Sequence, residues 1–297
     1  MKNLFYLPMW YFKNVLLKKE KPLQTVLFIT DYCNLRCKHC NETGHAGTTM
    51  KPYNKIKEEL KYAYREGSRF VDFEGGEPTL WRDGKYRIND LIDLAKEIGF
   101  FSTTVTTNGQ MPFDYLKADS IWVSVDGYKE YHDMVRGEGT FAKIHKHIAN
   151  SHHPAVSINM AINKMNYKSV LDVIKYANAS PYIKSVSLNF HTPYPGTEHM
   201  MLDWDKRCAI IDKIIAMKKE GYAIMNSVSG LRAMKKTPSS KYCWVSNFIL
   251  TDGTRLRECA GKQAGICDQC GFCMSGEMAS VMKLKPDTIL AGMKLRM

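Results

Sequence analysis

The chain has 297 residues, of which 44% are hydrophobic and 24% are charged, as is usual for a globular protein with a substantial core. This length is long for one average domain and short for three, so we expect one large domain with a smaller appendage. Because no apolar run approaches the roughly 20 residues that a spanning helix needs, the sequence excludes a transmembrane protein.

The net charge of +12 indicates either an anionic partner or a merely solvated basic surface. The lysines are spread over several helical stretches and form no basic stripe interleaved with stacking aromatic residues. We therefore expect no nucleic-acid partner, which leaves a membrane surface or a phosphorylated substrate as the anionic candidates.

Nine cysteines are the unusual part of the composition, and eight of them fall into two clusters, 33–40 and 243–273. Disulfide partners would not bunch in this way, and no cleavable secretory signal precedes them. Metal or iron–sulfur ligation in a reducing compartment fits better, so we expect a cytoplasmic protein. Cys208, alone between the clusters on a helical pattern, is expected to be a buried thiol.

The first 22 residues form an amphipathic segment, dense in aromatic and aliphatic side chains over 4–17 and followed by three lysines. We favour a helix packed across one end of the domain and ended by Pro22. The alternative is a helix lying in a membrane interface, with Trp10, Tyr11 and Phe12 at headgroup depth and the lysines facing anionic lipid. That alternative would place the protein peripherally on the inner membrane face.

From residue 25 to about 190, short β-rich runs alternate with helical patterns, which predicts βαβ units and a parallel sheet. Strands are predicted over 25–30, 69–73, 101–106, 120–125, 154–161 and 183–190. Helices are predicted over 53–66, 86–98, 140–150 and 166–178, with a short turn of helix at 112–118. Beyond residue 200 we expect a helix over 203–220, a short strand over 222–226, a helical turn near 228–236 and a hairpin over 247–257 that turns at Asp252-Gly253.

Directly after the first strand, Cys33, Cys37 and Cys40 follow one another at C-x3-C-x2-C spacing. Three thiolates cannot fill the four iron sites of a [4Fe–4S] cluster, so one iron would stay open for a non-protein ligand. A zinc site or unrelated thiols are the alternatives. Both are disfavoured, because structural zinc prefers four closed ligands and C-x2-C pairs.

Polar turns follow the next strands at the edge where parallel sheets collect their ligands. After the second strand come Glu74-Gly75-Gly76-Glu77-Pro78, whose glycines allow close backbone approach and whose Glu77 offers an acceptor for an ammonium group. Alone, this sequence could equally be a tight strand-to-helix turn. Asn108 follows the third strand, and Ser124 and Asp126 follow the fourth, as binding of a ribose and an amino acid would require.

The three-cysteine loop, followed one βα unit later by Gly-Gly-Glu-Pro, resembles the radical S-adenosylmethionine (SAM) superfamily. The resemblance implies an α/β fold, a partial (β/α)6 barrel over residues 23–200, with SAM on the open iron. It assigns the SAM amino group to Gly75, Gly76, Glu77 and Pro78, and further SAM contacts to Asn108, Ser124 and Asp126. Arg136 would pair with the SAM carboxylate as a bidentate fork, or would be an ordinary surface arginine.

The C-terminal extension, 201–297, carries the second cysteine cluster. Cys243 precedes the hairpin, Cys259 closes it, and Cys267, Cys270 and Cys273 follow at C-x2-C-x2-C spacing. This order resembles the twitch and SPASM modules, which hold auxiliary [4Fe–4S] clusters. Five cysteines suffice for one auxiliary cluster with one thiol to spare, and a zinc knob with four thiolates is the alternative.

The resemblance implies an enzyme that cleaves SAM reductively to a 5′-deoxyadenosyl radical and functionalises an unactivated carbon, with a flavodoxin- or ferredoxin-type reductant. A lipid or isoprenoid substrate is favoured by the aromatic N-terminal segment and the basic charge, features that loosely resemble the adenosyl-hopene transferases. Maturation of a ribosomal peptide is the alternative, since twitch and SPASM modules are common in peptide maturases. A non-catalytic iron–sulfur electron carrier is the third hypothesis, and the SAM-pocket elements argue against it.

Overall fold

The computed structural model describes residues 2–40, 47–236 and 240–296. Its main sheet has eight strands in the order β10-β9-β1-β2-β5-β6-β7-β8, and every pairing in it is parallel except that of β10 with β9. The strands are β1 Gln24–Thr30, β2 Phe70–Gly75, β5 Ser102–Thr107, β6 Ser120–Ser124, β7 Val156–Ile162, β8 Ser185–Phe190, β9 Ser246–Ile249 and β10 Arg255–Leu256. A separate short ribbon consists of β3 Arg82–Asp83 and β4 Tyr86–Arg87.

Helices alternate with the strands and then continue beyond them. They are α1 Lys2–Tyr11, α2 Tyr53–Glu66, α3 Ile88–Ile98, α4 Glu130–Arg136, α5 Thr140–Ala149, α6 Val170–Ala179, α7 Trp204–Lys219, α8 Val228–Ala233, α9 Ala260–Gln263, α10 Cys273–Val281 and α11 Pro286–Arg296. Within the described residues, no helix is both long enough and apolar enough to cross a membrane.

Alternation along each strand separates the core from the interior of the barrel. In β2, Val71 and Phe73 are fully buried in the main hydrophobic cluster with the covering helices, whereas Asp72 and Glu74 line an internal cavity.

The six predicted strands between 25 and 190 are observed within two residues of their expected bounds. The predicted α/β fold, a partial barrel built on a parallel sheet, is confirmed.

The predicted hairpin forms, with Gly253 in the left-handed region at φ +91°, and it extends the barrel sheet. β9 pairs in parallel with β1, from Gln24 opposite Ser246 to Leu27 opposite Ile249. The division into 23–200 and 201–297 stays a prediction, but the strands of the C-terminal extension belong to the same sheet as the first strand of the core.

Other expectations differ from the structure. The strand expected over 222–226 is a single bridge between Val186 and Ile224, and the helix expected near 112–118 is only a turn. The sequence patterns do not predict α4, the β3–β4 ribbon, α10 or α11. α4 is short, and α10 carries one glycine and two serines, which weaken a helical pattern.

The N-terminal segment packs across the ends of the strands, as favoured. α1 continues as one turn of π-helix, Phe12–Leu16, so the helix ends before Pro22. Trp10 packs against Trp244 with ring centroids 5.7 Å apart, and the Tyr6 hydroxyl donates to the Gly67 carbonyl at 2.8 Å.

Candidate functional site

A cavity of about 480 Å³ runs through the barrel interior and meets both groups of cysteines. Strands β1, β2 and β5 to β9 all contribute side chains to its wall. At one end it is lined by the loop after β1, and elsewhere by the C-terminal extension. The cysteines that line it are Cys33, Cys37, Cys40, Cys243, Cys259, Cys270 and Cys273.

The three-cysteine loop is fixed by backbone hydrogen bonds. The Lys38 amide donates to the Val135 carbonyl of α4 at 2.9 Å, and the Cys40 amide donates to the Cys37 carbonyl at 3.1 Å. Burial raises the pKa of the Cys37 thiol to about 11, although the nearby Arg136 lowers it. A coordinating metal deprotonates such a thiol outright, so the donor set fits a cluster held by three thiolates.

Gly75 and Gly76 bring the end of β2 against the chain that enters this loop. The Gly76 amide donates to the Thr30 carbonyl at 2.7 Å, and the Glu77 amide donates to the Tyr32 carbonyl at 2.8 Å. A Cβ atom on Gly76 would overlap the Tyr32 carbonyl, so no larger residue fits there. Both glycines line the cavity beside the cysteines.

Glu77 has a different position from the one we expected. Its side chain is fully buried and accepts hydrogen bonds from Thr79, from the Thr107 hydroxyl at 2.7 Å and from the Asn108 amide at 2.7 Å. Burial raises its pKa, and these hydrogen bonds oppose the shift. The carboxylate therefore joins the ends of β2 and β5 from behind the cavity wall, with both oxygens engaged by the protein. Pro78, which is buried, begins a 3₁₀ turn beside it.

Asn108 lies next to the first cysteine. Its side-chain nitrogen donates to Asn34 Oδ1 at 2.7 Å and lies 3.6 Å from Cys33 Sγ. Burial raises the pKa of the Cys33 thiol, and the Asn108 contact is among the groups that lower it. The amide thus connects the end of β5 to the cysteine loop.

Asp126 and Arg136 form a buried ion pair. Arg136 Nε lies 2.6 Å from Asp126 Oδ2, and the Ala161 amide donates to Oδ1 at 2.8 Å. Burial raises the pKa of Asp126, but the Arg136 guanidinium, His39 and the hydrogen bond from the Ala161 amide together outweigh it, and the pKa falls below its usual range. Arg136 Nη1 lies 3.8 Å from Cys37 Sγ, so the arginine faces a carboxylate of its own chain and a thiol. The expected bidentate fork is partly occupied by Asp126, while Ser124 lines the cavity as expected.

Two histidines beside this ion pair were missed. His39 Nε2 lies 3.5 Å from Asp126 Oδ2, and His132 Nδ1 accepts a hydrogen bond from the Asp126 amide. Burial lowers the pKa of each imidazole to about 4, so both are neutral near pH 7. His39 lies within the cysteine loop itself, and that position in the sequence could have identified it as a residue of the site.

The middle of the cavity is lined by further polar side chains. Asn189 donates to Asn159 Oδ1 at 2.8 Å across β7 and β8, and Thr106 donates to Glu74 at 3.3 Å across β2 and β5. Trp122 lines the same wall from β6. Polar residues at every second position of an otherwise apolar strand were the signal that could have identified them.

The C-terminal cysteines come from several elements that the fold brings together. The Cys243 thiol interacts electrostatically with Cys259, Cys267 and Cys270, and burial raises its pKa to about 12. Cys273 lies deeper, with its sulfur 3.8 Å from the Ser187 hydroxyl, and burial raises its pKa to about 12. In the described ranges, no three His, Cys, Asp or Glu side chains converge as ligands of a single metal ion. A polynuclear cluster does not require such convergence, because each thiolate binds its own iron.

A buried cation, Arg207, lies beside this group. Its side chain is 3% exposed, and Nη1 donates to the Cys270 carbonyl at 3.0 Å. The guanidinium lies over the rings of Phe190 and Trp204, 4.8 Å from each centroid. Burial lowers its pKa, and the interaction with Cys270 opposes that shift.

Comparison with known proteins places this site in a family. Residues 27–180 match the model of the radical SAM superfamily. A probable GTP 3′,8-cyclase of Sulfolobus acidocaldarius is 24% identical over 265 residues, covering 81% of this chain and 82% of that protein. An uncharacterized protein of Archaeoglobus fulgidus is 27% identical over 175 residues, covering 57% of this chain and 40% of its own length.

Among solved structures, Streptococcus suis SuiB bound to S-adenosylmethionine has the same fold, with a TM-score of 0.65 and 17% identity. The superposition covers 87% of this chain and 66% of SuiB, and SuiB has also been solved bound to the precursor peptide SuiA. The family match covers more than half of the chain and includes the three-cysteine loop. The chain therefore belongs to the radical SAM superfamily, whose members are enzymes that use SAM together with a [4Fe–4S] cluster.

Proposed function

We propose that this protein generates a 5′-deoxyadenosyl radical at Cys33, Cys37 and Cys40 and uses it on a carbon of a substrate held in the barrel cavity. One observation carries the proposal: the three-thiol loop opens into the same cavity that Gly75 and Gly76 and the interior faces of the strands line. When bound, the cluster and SAM supply one-electron cleavage of the sulfonium and a radical that takes hydrogen from an unactivated carbon or adds to a double bond.

The chain's own residues hold and tune that site. Arg136 places a positive charge near Cys37, and the Asn108 amide points at Cys33, so both stabilise thiolate charge. Asp126 fixes the arginine, and the neutral His39 fills the space beside the pair without adding charge. Gly75, Gly76 and Ser124 line the wall along which the amino acid and ribose parts of SAM would lie. Glu77 acts in this proposal as a positioning residue for that wall.

For the C-terminal group we propose one auxiliary [4Fe–4S] cluster held by Cys243, Cys259, Cys267 and Cys270. The mutual electrostatic interactions of these four thiols support the choice. Cys273 also interacts with Cys270, but we take it as the spare thiol because its sulfur faces Ser187 and Glu277. With four cysteine ligands, the auxiliary cluster would relay electrons rather than bind substrate.

For the substrate we propose a lipid or isoprenoid, that is, an apolar carbon skeleton bearing a polar group. The cavity has one apolar wall, formed by Val26, Phe28 and Phe248 on β1 and β9. The wall at β7 and β8 presents the paired amides of Asn159 and Asn189, and Glu74 lies beside Phe28 on the neighbouring strand β2. An amphiphile satisfies both walls, because its polar group can reach the amides while its chain lies on the apolar strands.

A ribosomal peptide is the second candidate, and the similarity of the fold to SuiB, which has been solved with a precursor peptide, favours it. A peptide backbone would also match the paired amides on β7 and β8. The two candidates differ at the apolar wall of β1 and β9, which the chain of a lipid would cover and a peptide backbone would not require.

The test is anaerobic reconstitution followed by measurement of 5′-deoxyadenosine under dithionite or a reduced flavodoxin. We expect its formation to increase when total lipid extract is added and to disappear in Cys37→Ala. If a peptide pool, but not lipid, increases the formation of 5′-deoxyadenosine, the substrate is a ribosomal peptide. If a fully loaded protein makes no 5′-deoxyadenosine with either addition, the radical proposal is wrong, and electron carriage becomes the account of the clusters.

A further inference from the structure

The N-terminal segment carries an exposed apolar surface beside exposed lysines. Its inner side is fixed to the protein by Tyr6 and Trp10, through their contacts with Gly67 and Trp244. Its outer side exposes Leu7, Met9, Phe12, Leu16 and Leu17, the last three to more than half of their full area. We call these five residues, with Lys13, Lys18 and Lys19, the N-terminal patch.

Such an exposed cluster within eleven residues differs from scattered surface leucines. All three lysines of the patch are exposed, and the acidic residue among them, Glu20, lies 3.9 Å from Arg257. The patch therefore combines apolar side chains with an excess of positive charge, in a chain whose net charge is +12.

A second element repeats the pattern next to it. The Tyr11 hydroxyl donates to the Met282 carbonyl at 3.2 Å, which places the turn between α10 and α11 beside the segment. That turn exposes Lys283, Leu284 and Lys285 in succession. Two separate parts of the chain thus present apolar residues with lysines at one end of the molecule.

We propose that the N-terminal patch docks the protein on the surface of an anionic lipid bilayer. Apolar side chains enter the headgroup boundary, and neighbouring lysines meet negatively charged headgroups, as in interfacial helices. The internal cavity reaches the same end of the molecule, because Tyr242 and Met278 both line it and pack against the hydrophobic cluster that contains Trp10. The inference does not depend on the proposed reaction, since docking requires neither SAM nor turnover.

The experiment is flotation of the intact protein with vesicles of equal parts phosphatidylcholine and phosphatidylglycerol, and with phosphatidylcholine alone. We expect binding to the anionic vesicles and at least tenfold less to the neutral ones, with binding weakened by salt. The triple variant Phe12→Ser, Leu16→Ser, Leu17→Ser should lose binding. Each lysine near the membrane contributes about fivefold, so Lys13→Glu, Lys18→Glu, Lys19→Glu should reduce it by about 100-fold or more.

Matched controls change the same kinds of residue elsewhere. Tyr115→Ser, Tyr182→Ser, Leu290→Ser removes exposed apolar side chains, and Lys143→Glu, Lys146→Glu, Lys175→Glu reverses exposed lysines. Both control proteins should float like the unaltered protein. The proposal is wrong if the unaltered protein does not float or if the patch variants float as well as the controls. It is also wrong if light scattering shows a dimer that the patch variants convert to monomer without vesicle binding, because the patch would then bind a second copy.

Discussion

Cys33, Cys37 and Cys40 come from eight consecutive residues at the end of one strand, whereas the C-terminal cysteines are spread from 243 to 273 over several short elements. The first group is fixed by bonds to α4, β2 and β5, each supplied by a neighbouring βα unit. The second becomes a group only because β9 pairs with β1 and α10 reaches β8. A local site tolerates changes elsewhere in the fold, and an assembled site does not.

The largest expected effect is at the local group. Cys37→Ala should abolish 5′-deoxyadenosine formation and remove about four irons per chain, because the remaining two thiolates cannot hold the cluster. Chromatography of the product and iron analysis measure both. Cys208→Ala, outside both groups, is the control and should retain activity and iron. Equal losses in the two variants would show that the effect is not specific to the loop.

At the assembled group, Cys267→Ala should lose about four irons, whereas Cys273→Ala should keep them. The reason is that Cys267 belongs to the four mutually interacting thiols, whereas Cys273 faces Ser187. Iron and acid-labile sulfide analysis of both proteins measures the difference. The reverse result would replace Cys267 by Cys273 in the ligand set.

A buried ion pair of the core also contacts the hairpin of the C-terminal extension. Lys51 Nζ lies 2.7 Å from Glu59 Oε2 and donates to the Leu250 carbonyl of the hairpin at 2.7 Å, with both charged side chains almost fully buried. Lys51→Met leaves the Glu59 charge buried alone, so the free energy of unfolding should fall by about 3–5 kcal/mol. Urea unfolding measures it.

The double variant Lys51→Met, Glu59→Leu is the control for that prediction, because it removes both charges together. It should recover most of the lost stability. A loss below about 1 kcal/mol in the single variant would contradict the role of this pair, since that is the range of exposed pairs.

The charge of Arg207 should affect the reduction potential of the auxiliary cluster and leave that of the loop cluster unchanged. Removing its charge with Arg207→Met should lower the reduction potential of the auxiliary cluster by on the order of 50 mV, because an oxidised cluster is favoured when a nearby cation is lost. The loop cluster should keep its potential, and Arg207→Lys should retain most of the effect of the charge. A redox titration followed by electron paramagnetic resonance measures both. A shift of both potentials by the same amount would contradict the assignment.

The smallest expected effect is a pH dependence at α10. Burial raises the pKa of Glu277 to about 7, opposed by its hydrogen bonds from Ser227, while Lys218 lowers the pKa and Asp287 raises it. The folded state then binds more protons than the unfolded chain between pH 4.5 and about 7, so the free energy of unfolding falls as pH rises through that window.

Urea unfolding at several pH values should therefore show a decline of about 1–3 kcal/mol for the unaltered protein relative to Glu277→Gln. The glutamine variant is the reference because it keeps the shape of the side chain and cannot titrate. Parallel curves for the two proteins would show that Glu277 titrates normally.

The sequence was sufficient where a signal is local. The spacing of Cys33, Cys37 and Cys40, the alternation of strands and helices, and the turn at Gly253 each depend on neighbours within a few residues. The parallel pairing of β9 with β1 joins residues more than 200 positions apart, and no pattern in either strand specifies its partner. The Asp126–Arg136 pair was missed for a related reason, because a carboxylate and an arginine can each face a ligand or one another, and only the fold decides.

The most direct test of the account is iron and sulfide counting, with Mössbauer spectroscopy, on the anaerobically reconstituted protein and on two variants. One variant replaces Cys33, Cys37 and Cys40 by alanine, and the other replaces Cys243 and Cys259. Two separate [4Fe–4S] sites predict about eight irons in the unaltered protein and about four in each variant. About four irons in the unaltered protein, all lost with the loop cysteines and accompanied by zinc in the C-terminal group, would contradict the auxiliary cluster.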